Sequence, residues 1–274
     1  MVPAAPPGTF RVVTWNLWWR FGDDPDARHR AIAEVLLEVA PDVVCLQEVH
    51  GDAAGADRSR ELAEVLGLEL TRSEPRAFRG ESFGNAVLSR APVIDRGEVA
   101  LPLADGSPGF RNAVWARLDL PSGPIPVIST HLAFRFDESE LRQRQATTIL
   151  ELAARLRGAG DDPPPVVLGA DLNAVPDSDE IRLLTGRREA PVPGIVLTDT
   201  WPQVRDDPGH TWDRRNPNLA GSTWPQRRLD YVMVSWPRRK PAGNPVQAFL
   251  VGDEPVGGVW PSDHFGVAVD LSVG

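Results

Sequence analysis

The chain has 274 residues, of which 42% are hydrophobic and 24% are charged, the composition of a folded protein with a sizeable core. Its 29 basic and 38 acidic residues give a net charge of −9, which argues against a broad basic surface for duplex nucleic acid. No apolar run approaches the length of a membrane span, and no secretion signal is visible. The single cysteine, Cys45, excludes an intrachain disulfide and favours a reducing, cytoplasmic location.

The predicted elements begin with strands that alternate with helices. Residues 1–9 are expected to be a disordered tip, and residues 10–274 are expected to form one domain, because no repeat or linker divides them. Apolar alternation and helical spacing then predict, in chain order, a strand at 10–16, a helix from Asp26, a strand at 43–46, a helix at 57–67, strands at 85–89, 93–101, 113–120 and 125–130, a helix at 138–157, a strand from Val166, a helix between 176 and 186, and strands at 229–234 and 265–271. Residues 187–227 are rich in Pro, Gly, Asp and Arg and are predicted to hold little regular structure.

Six predicted strand ends carry polar side chains that a hydrophobic core does not require. They are Asn16, Glu48, His131, Asp171 with Asn173, Asp230, and Asp263 with His264. If these strand ends share one edge of the fold, the side chains converge on one pocket. Carboxylate and carboxamide oxygens without cysteine suit Mg²⁺ or Mn²⁺, whereas no histidine or cysteine spacing supports a dedicated zinc site. A divalent cation, a carboxylate that activates water and imidazoles that neutralise charge are the parts of a phosphoester hydrolase.

Each of these residues also has a structural interpretation. Glu48 is compatible with a surface carboxylate, Asn16 with a turn residue and His131 with a buried histidine whose hydrogen bonds are satisfied. Asp230, which follows two arginines, is compatible with a salt bridge. These interpretations explain the residues one by one, but they do not explain the order in which all of them occur.

That order resembles a known superfamily. The motifs are Thr14-Trp15-Asn16, Leu46-Gln47-Glu48, Gly84-Asn85-Ala86, Ser129-Thr130-His131-Leu132, Gly169-x-Asp171-x-Asn173, Arg228-x-Asp230-Tyr231 and Ser262-Asp263-His264. In sequence order they resemble the endonuclease/exonuclease/phosphatase superfamily of deoxyribonuclease-I-like, metal-dependent phosphohydrolases. The resemblance spans residues 10–271 and implies an α/β (α+β) four-layer sandwich, in which two packed, mostly antiparallel β-sheets are flanked by helices.

The resemblance also implies a metal site. Glu48 would be the principal ligand of Mg²⁺ (or Mn²⁺), and Asn16 would lie beside it and bind directly or through water. Asp263 would be a metal ligand or would support one. The segment Gly169-Ala170-Asp171 departs from the family's commonest Gly-Asp-x-Asn form, but the Asp-x-Asn spacing survives in it.

Catalytic roles are implied in the same way. Asp171 would align or deprotonate the attacking water, and Asn173 would help to hold the phosphate. His131 would bind the phosphate and assist the leaving oxygen, whereas His264 would stabilise the pentacovalent state. Asp230 would orient an imidazole, and the sequence leaves open whether that imidazole belongs to His131 or His264.

The sequence defines the type of reaction more closely than it defines the substrate. Several loop aromatics are candidates for stacking on a base, although we favour a role as core or loop anchors for them: Trp18, Trp19, Phe21 and Trp212. Arg214 and Arg215 are candidates for gripping a second phosphate or for facing solvent.

We therefore predict a cytoplasmic hydrolase that depends on Mg²⁺ or Mn²⁺ and attacks phosphorus with water. A phosphodiesterase acting on a nuclease-like or small-molecule substrate is favoured, with nucleic acid among the candidate partners and no membrane span. The alternatives are a phosphomonoesterase or sphingomyelinase-like phospholipase of the same fold, and a catalytically silent phosphate-binding module.

Overall fold

The computed structural model describes residues 2–52 and 55–274. Thirteen strands lie in these residues: β1 (Thr9–Asn16), β2 (Val43–Gly51), β3 (Glu69–Arg72), β4 (Arg76–Phe78), β5 (Glu81–Ser89), β6 (Val93–Pro102), β7 (Pro108–Leu120), β8 (Gly123–His131), β9 (Val167–Asp171), β10 (Val196–Asp199), β11 (Asp230–Trp236), β12 (Pro245–Val251) and β13 (Gly266–Ser272). The helices are α1 (Pro25–Val39), α2 (Arg58–Leu66), α3 (Ser139–Arg157), α4 (Asp179–Leu184) and α5 (Trp201–Val204), with a short 3₁₀ turn at Pro217–Leu219. None of the described helices is both long and apolar enough to cross a membrane.

The strands form two sheets. The first runs β12-β13-β1-β2-β5-β3, with β4 also paired to β5, and the second runs β10-β11-β9-β8-β7-β6. The β1/β2 and β8/β9 pairs are parallel, and the remaining described pairs are antiparallel. The prediction of two mostly antiparallel sheets is therefore confirmed.

Apolar residues on alternate positions of each strand build the four layers, because successive strand side chains point to opposite faces of a sheet. Val12 of β1 and Val167 of β9 belong to the core between the two sheets. Val13 of β1 packs with α1 and α2 on one outer face, whereas Leu168 of β9 packs with α3 and α4 on the other. The order helix, sheet, sheet, helix confirms the predicted fold class.

The helix boundaries follow from capping residues. Asp24 accepts a hydrogen bond from the Ala27 amide (2.9 Å) at the start of α1, and Ala40, in the left-handed region, closes that helix. Asp57 accepts from the Ser59 amide (2.9 Å) at the start of α2, and Gly67 ends it with φ +64°. These residues place the two helices close to their predicted positions.

Short edge strands were not predicted. β3 is mostly polar, β4 has only three residues, β10 lies within the segment predicted to lack regular structure, and β12 pairs only with β13 in the described sheet. Their residues have no clean apolar alternation, so pairing with a neighbouring strand decides their structure. At the N-terminus, β1 begins at Thr9, one residue earlier than predicted. The carbonyls of Pro3 and Ala4 accept hydrogen bonds from Arg11 and Gln247, so part of the tip predicted to be disordered contacts the fold.

Strand direction brings the polar strand ends together. The parallel strands β1 and β2 finish at the same edge of the first sheet. In the second sheet, β8 and β9 are also parallel, and their last residues His131 and Asp171 pair directly. The antiparallel strand β11 begins at this edge, with Asp230 opposite Asp171. His264 lies just before β13, which runs antiparallel to β1 and starts at the same edge.

Candidate active site

A β-bulge presents Glu48 to this edge. The register between β2 and β5 shifts between Leu46 and Val49, so that Gln47 and Glu48 together oppose Asn85. Glu48 has φ +54°, a left-handed conformation that a non-glycine residue rarely adopts outside such a distortion. The bulge leaves the carboxylate of Glu48 3.8 Å from His131 Nδ1. Glu48 therefore departs from the regular strand conformation of β2 and lies at the edge where the two sheets meet.

Asp171 is the centre of the cluster. Its Oδ2 accepts a hydrogen bond from Asn16 Nδ2 (2.9 Å) and lies 3.2 Å from His131 Nε2 and 3.9 Å from His264 Nε2. Its Oδ1 accepts from the Asn173 amide (3.0 Å). Burial alone would raise the pKa of Asp171, but the protonated His264 and these hydrogen bonds outweigh it and lower the pKa. The carboxylate is therefore held ionised.

His264 and Asp230 form a hydrogen-bonded pair. His264 Nδ1 donates to Asp230 Oδ2 at 2.8 Å, which settles the alternative that the sequence left open. Burial would lower the pKa of His264, but Asp230 and Asp171 outweigh it and hold the pKa well above its ordinary value. The imidazole is thus protonated and fixed, with its Nε2 directed towards Asp171.

His131 has the opposite protonation state. Burial, together with the positive charge of Arg111, lowers the pKa of His131 well below its ordinary value. Asn173 Nδ2 donates to His131 Nε2 (2.9 Å) and to the carbonyl of Leu132 (3.2 Å). A neutral His131 that accepts at Nε2 carries its proton on Nδ1, on the side of Glu48.

Glu48 and Asp263 form the acidic side of the cluster. Burial raises the pKa of Glu48 to about 7, and the nearby negative charge of Asp263 adds to the shift. Burial also raises the pKa of Asp263 to about 6. Among the described residues, Glu48 Oε2 is buried and has no hydrogen-bond partner. A buried carboxylate oxygen without a donor, beside a second acid, fits a divalent cation.

A second group of potential ligands lies within the same cluster. Asp171, Asp230 and His264 each present one ligand atom, and these atoms lie within 4.8 Å of one another. The hydrogen bond between Asp230 and His264 uses one atom of each, and the raised pKa of His264 opposes metal binding through its nitrogen.

The described structure brings together all eight residues that the sequence singled out.

Three further residues support the site and were not predicted. Gln47 joins the two sheets beneath it, because Nε2 donates to Thr14 Oγ1 and to Ser129 Oγ, both at 3.1 Å. Arg28 of α1 donates to loop carbonyls, including Phe21 (2.7 Å), and lies near Asp263. Arg111 of β7 has a buried Nη1 without a partner among the described residues. Gln47 stands inside a recognised motif, whereas no sequence pattern marks the two arginines.

The aromatic candidates in the loops differ in what they contact. Trp18 packs under Arg28, and Trp19 Nε1 donates to the Ser82 carbonyl (2.9 Å), so both anchor loops as we favoured. Phe21 packs on Trp19 with ring centroids 5.2 Å apart. Trp212, in contrast, packs edge-on against His264 at 5.0 Å.

Both arginine candidates are exposed. Arg214 donates to the carbonyl of Trp224, and Arg215 contacts Asp213 and the ring of Phe265. Beside the site, a cavity of about 810 Å³ is bordered by Asn173, Phe136, Trp224 and Arg227, among other residues. The cavity extends the site on the side of the long loop before β11.

Two packed sheets with acids, amides and a histidine–aspartate pair at one edge define a metal-dependent phosphohydrolase. A family model described as the Endonuclease/Exonuclease/phosphatase family matches residues 13–264, and the chain belongs to that family. Its class is that of enzymes that hydrolyse phosphoester bonds with a divalent metal ion, which confirms the predicted type of function.

Individual relatives agree with this assignment. Tyrosyl-DNA phosphodiesterase 2 of Xenopus laevis is 27% identical over 271 residues, a match that covers 96% of this chain and 67% of the relative. The crystal structure of an endonuclease/exonuclease/phosphatase from Beutenbergia cavernae is 28% identical, with a TM-score of 0.71 over 97% of this chain and 72% of the other. The human Nocturnin catalytic domain, at 19% identity, shares the fold with a TM-score of 0.74, over 99% of this chain and 97% of that domain.

Proposed function

We propose that this chain is a Mg²⁺- or Mn²⁺-dependent phosphodiesterase with nuclease-like substrates. The observation that carries the proposal is the buried, unpartnered Oε2 of Glu48, next to an ionised Asp171 and a protonated His264. One pocket therefore contains a carboxylate that can bind a cation (Glu48), a base (Asp171) and a positive charge (His264). The activity that the name of the Xenopus relative states, phosphodiester hydrolysis, supports the same conclusion.

We assign the metal to Glu48, with Asp263 and Asn16 beside it. Glu48 and Asp263 supply carboxylate oxygens, and burial raises the pKa of both groups, so a bound cation would stabilise their charged forms. Asn16 donates to Asp171 through Nδ2, and its Oδ1 accepts from the Trp18 amide (2.9 Å), so its position is fixed. A bound divalent cation supplies Lewis-acid stabilisation of negative charge on phosphate oxygens. Oxygen ligands without sulfur favour Mg²⁺ or Mn²⁺.

Asp171 acts as the base that orients and deprotonates the attacking water. Its low pKa keeps it ionised at neutral pH, and donors from Asn16 and Asn173 fix both of its oxygens. A fixed, ionised acceptor contributes to catalysis because it needs no reorganisation during the reaction.

The positive and neutral donors surround the phosphate. His264, protonated and fixed by Asp230, neutralises charge that develops on the phosphoryl oxygens. His131 Nε2 accepts from Asn173, and the Nδ1 proton of His131 has no partner among the described residues, so it can be donated within the site. The unpartnered Nη1 of Arg111 adds a further positive charge at this edge. Groups of this kind bind the crowded transition state more tightly than the ground state.

A diester is favoured over a monoester by the shape of the site. The 810 Å³ cavity beside Asn173 leaves room for a second esterifying group on the phosphate. We also propose a reducing, cytoplasmic environment, which is supported by the buried and unpaired thiol of Cys45.

The test is turnover of bis(p-nitrophenyl) phosphate with Mg²⁺, Mn²⁺ or no metal. We expect hydrolysis that requires either cation, and slower hydrolysis of the p-nitrophenyl monoester at equal concentration. No rate above background with any divalent cation would contradict the proposal and favour a phosphate-binding module without turnover. A faster rate on the monoester would assign the chain to the phosphomonoesterases.

A further inference from the structure

We propose that Phe136 and Trp224 form a stacking platform for an unpaired nucleobase of the substrate strand. The inference rests on the proposed phosphodiesterase function and names the chemical group that lies next to the phosphate. Phe136 lies in the loop between β8 and α3, and Trp224 lies in the loop before β11. Their rings stack with centroids 3.7 Å apart and planes 19° apart.

The platform is open to solvent. Phe136 is 53% exposed and Trp224 is 46% exposed, unusually high values for large aromatic residues that pack on each other. Their burial against one another therefore contributes little to the core, and both rings keep surface that is accessible to solvent. Aromatic rings that face solvent beside an active site are typical of sites that bind the bases of single strands.

Both supporting loops are held in place by arginines. Arg142 Nη1 donates to the carbonyls of Ala133 (3.3 Å) and Arg135 (2.6 Å), directly before Phe136. Arg214 donates to the carbonyl of Trp224 through Nε (3.3 Å) and Nη2 (3.1 Å). The rings are thus presented from a fixed backbone, which lowers the entropy cost of binding.

A chain of contacts joins the platform to the catalytic residues. Trp212 packs against His264 at 5.0 Å, and the guanidinium of Arg227 lies 5.7 Å from the Trp212 ring. The same guanidinium lies 4.9 Å from the ring of Phe136 and 5.8 Å from that of Trp224. Asn173, Phe136 and Trp224 also border the same cavity, so a strand whose phosphate is bound at the site can extend towards the platform.

Charge supports a nucleic-acid occupant over an apolar one. Arg227 lies over the platform rings, and its Nε has no hydrogen-bond partner among the described residues, so its charge is available to a phosphate. The chain as a whole carries −9, so affinity for a strand has to come from such local groups and from stacking, not from a general basic surface. A paired base has both faces covered by its neighbours, so the platform selects unpaired nucleotides.

The experiment measures binding by fluorescence anisotropy with Mg²⁺ in an Asp171→Asn background, which preserves the probes. The probes are a labelled pentadeoxynucleotide, the same strand with tetrahydrofuran abasic sites, and a hairpin duplex. The proteins are the background itself and the same chain with Phe136→Ala, Trp224→Ala, Trp224→Phe or Trp236→Ala. Trp236 is an exposed tryptophan at the opposite end of β11, and it serves as the matched control.

We expect the background protein to bind the base-bearing strand roughly 5- to 150-fold more tightly than the abasic strand, the range of stacking one base on an aromatic side chain. Phe136→Ala and Trp224→Ala should remove most of this preference, whereas Trp224→Phe and Trp236→Ala should keep it. The hairpin should bind no better than the abasic strand.

The inference would be overturned if both alanine variants kept the preference for the base-bearing strand. It would also be overturned if the background protein showed no such preference, or bound neither strand. Turnover of bis(p-nitrophenyl) phosphate by the wild-type chain is measured alongside. Turnover without the base preference would overturn the platform alone, whereas the base preference without turnover of any phosphodiester would overturn the proposed function alone.

Discussion

Polar and charged groups are buried near both ends of the paired strands β1 and β13, but the two ends differ in how the hydrogen bonds of those groups are satisfied. At one end, Arg11 and Asp270 form a bidentate ion pair (2.7 and 2.9 Å), and Arg11 also donates to the carbonyl of Val39 (2.9 Å). At the other end, Glu48 Oε2, His131 Nδ1 and Asp230 Oδ1 are buried without a partner among the described residues.

This difference separates a structural cluster from a functional one. A buried charge whose hydrogen bonds are all satisfied stabilises one fold. A group of buried acids with unsatisfied acceptor atoms lowers the free energy of unfolding until a ligand binds. The end that carries the site is therefore expected to determine activity and to limit stability. The end with Arg11 and Asp270 is expected to contribute to stability and to have no effect on activity.

The largest effect is expected for Asp171→Asn. Loss of the ionised base should lower kcat for bis(p-nitrophenyl) phosphate by about 10⁴-fold, the upper range for general-base catalysis. The melting temperature should fall, because the lowered pKa of Asp171 means that its surroundings stabilise the ionised carboxylate in the folded state. Steady-state kinetics and thermal melting of the same preparation check both parts, and a large loss of stability with kcat preserved would identify Asp171 as a structural residue.

His264→Asn is expected to lower kcat by about 10²–10³-fold, because the positive charge beside the phosphate is lost. Asparagine keeps an N–H group near the position of Nδ1 and so preserves a donor for Asp230, which would otherwise be left as an unpaired buried charge. Circular dichroism should show an unaltered fold. Activity within twofold of the wild type would exclude His264 from the mechanism.

Asp270→Asn tests the opposite end of the same strands. Breaking this buried ion pair should cost about 3–5 kcal/mol in the free energy of unfolding, measured by denaturant titration. At temperatures where the variant is folded, kcat should match the wild type. The double substitution Arg11→Met with Asp270→Leu should recover much of the loss, because no unpaired charge remains. A fall in kcat with unchanged stability would remove the contrast between the two ends.

A smaller effect, which depends on pH, is expected at Glu48. Burial and Asp263 raise its pKa to about 7 in the folded protein, whereas an unfolded glutamate titrates near roughly 4.3. The folded state binds the proton more tightly, so the metal-free protein should lose stability as the pH rises through this interval, by on the order of 3 kcal/mol.

The variant Glu48→Gln should lack this loss of stability. In EDTA at pH 7.5 it should melt at a higher temperature than the wild type, and Mg²⁺ should raise the melting temperature of the wild type but not of the variant. Parallel pH profiles of the two proteins would contradict the assigned pKa, and equal stabilisation by Mg²⁺ would remove Glu48 from the ligands.

Much of the site was predictable because polar residues interrupt apolar strands at their ends. Asn16, His131 and Asp171 each follow such a strand, and the parallel pairs β1/β2 and β8/β9 bring them to one edge. The pairing of Asp230 with His264 was not predictable, since it depends on which strands are neighbours and in what register.

The remaining features depend on tertiary packing. The bulge that turns Glu48 outward arises from the pairing of β2 with β5, about 40 residues later in the chain. The sequence likewise gives no sign that Arg28 and Arg111 approach the acids, because arginines at their positions fit ordinary exposed faces of a helix and a strand. Short polar strands such as β3 form only through their neighbour.

The most direct test of the metal assignment is an anomalous-difference map from a crystal grown with Mn²⁺. We predict one strong peak about 2.0–2.2 Å from the Glu48 carboxylate, with Asp263 and Asn16 around it and the Asp230–His264 hydrogen bond intact. A peak bound by Asp171, Asp230 and His264, with Glu48 left unliganded, would contradict the account.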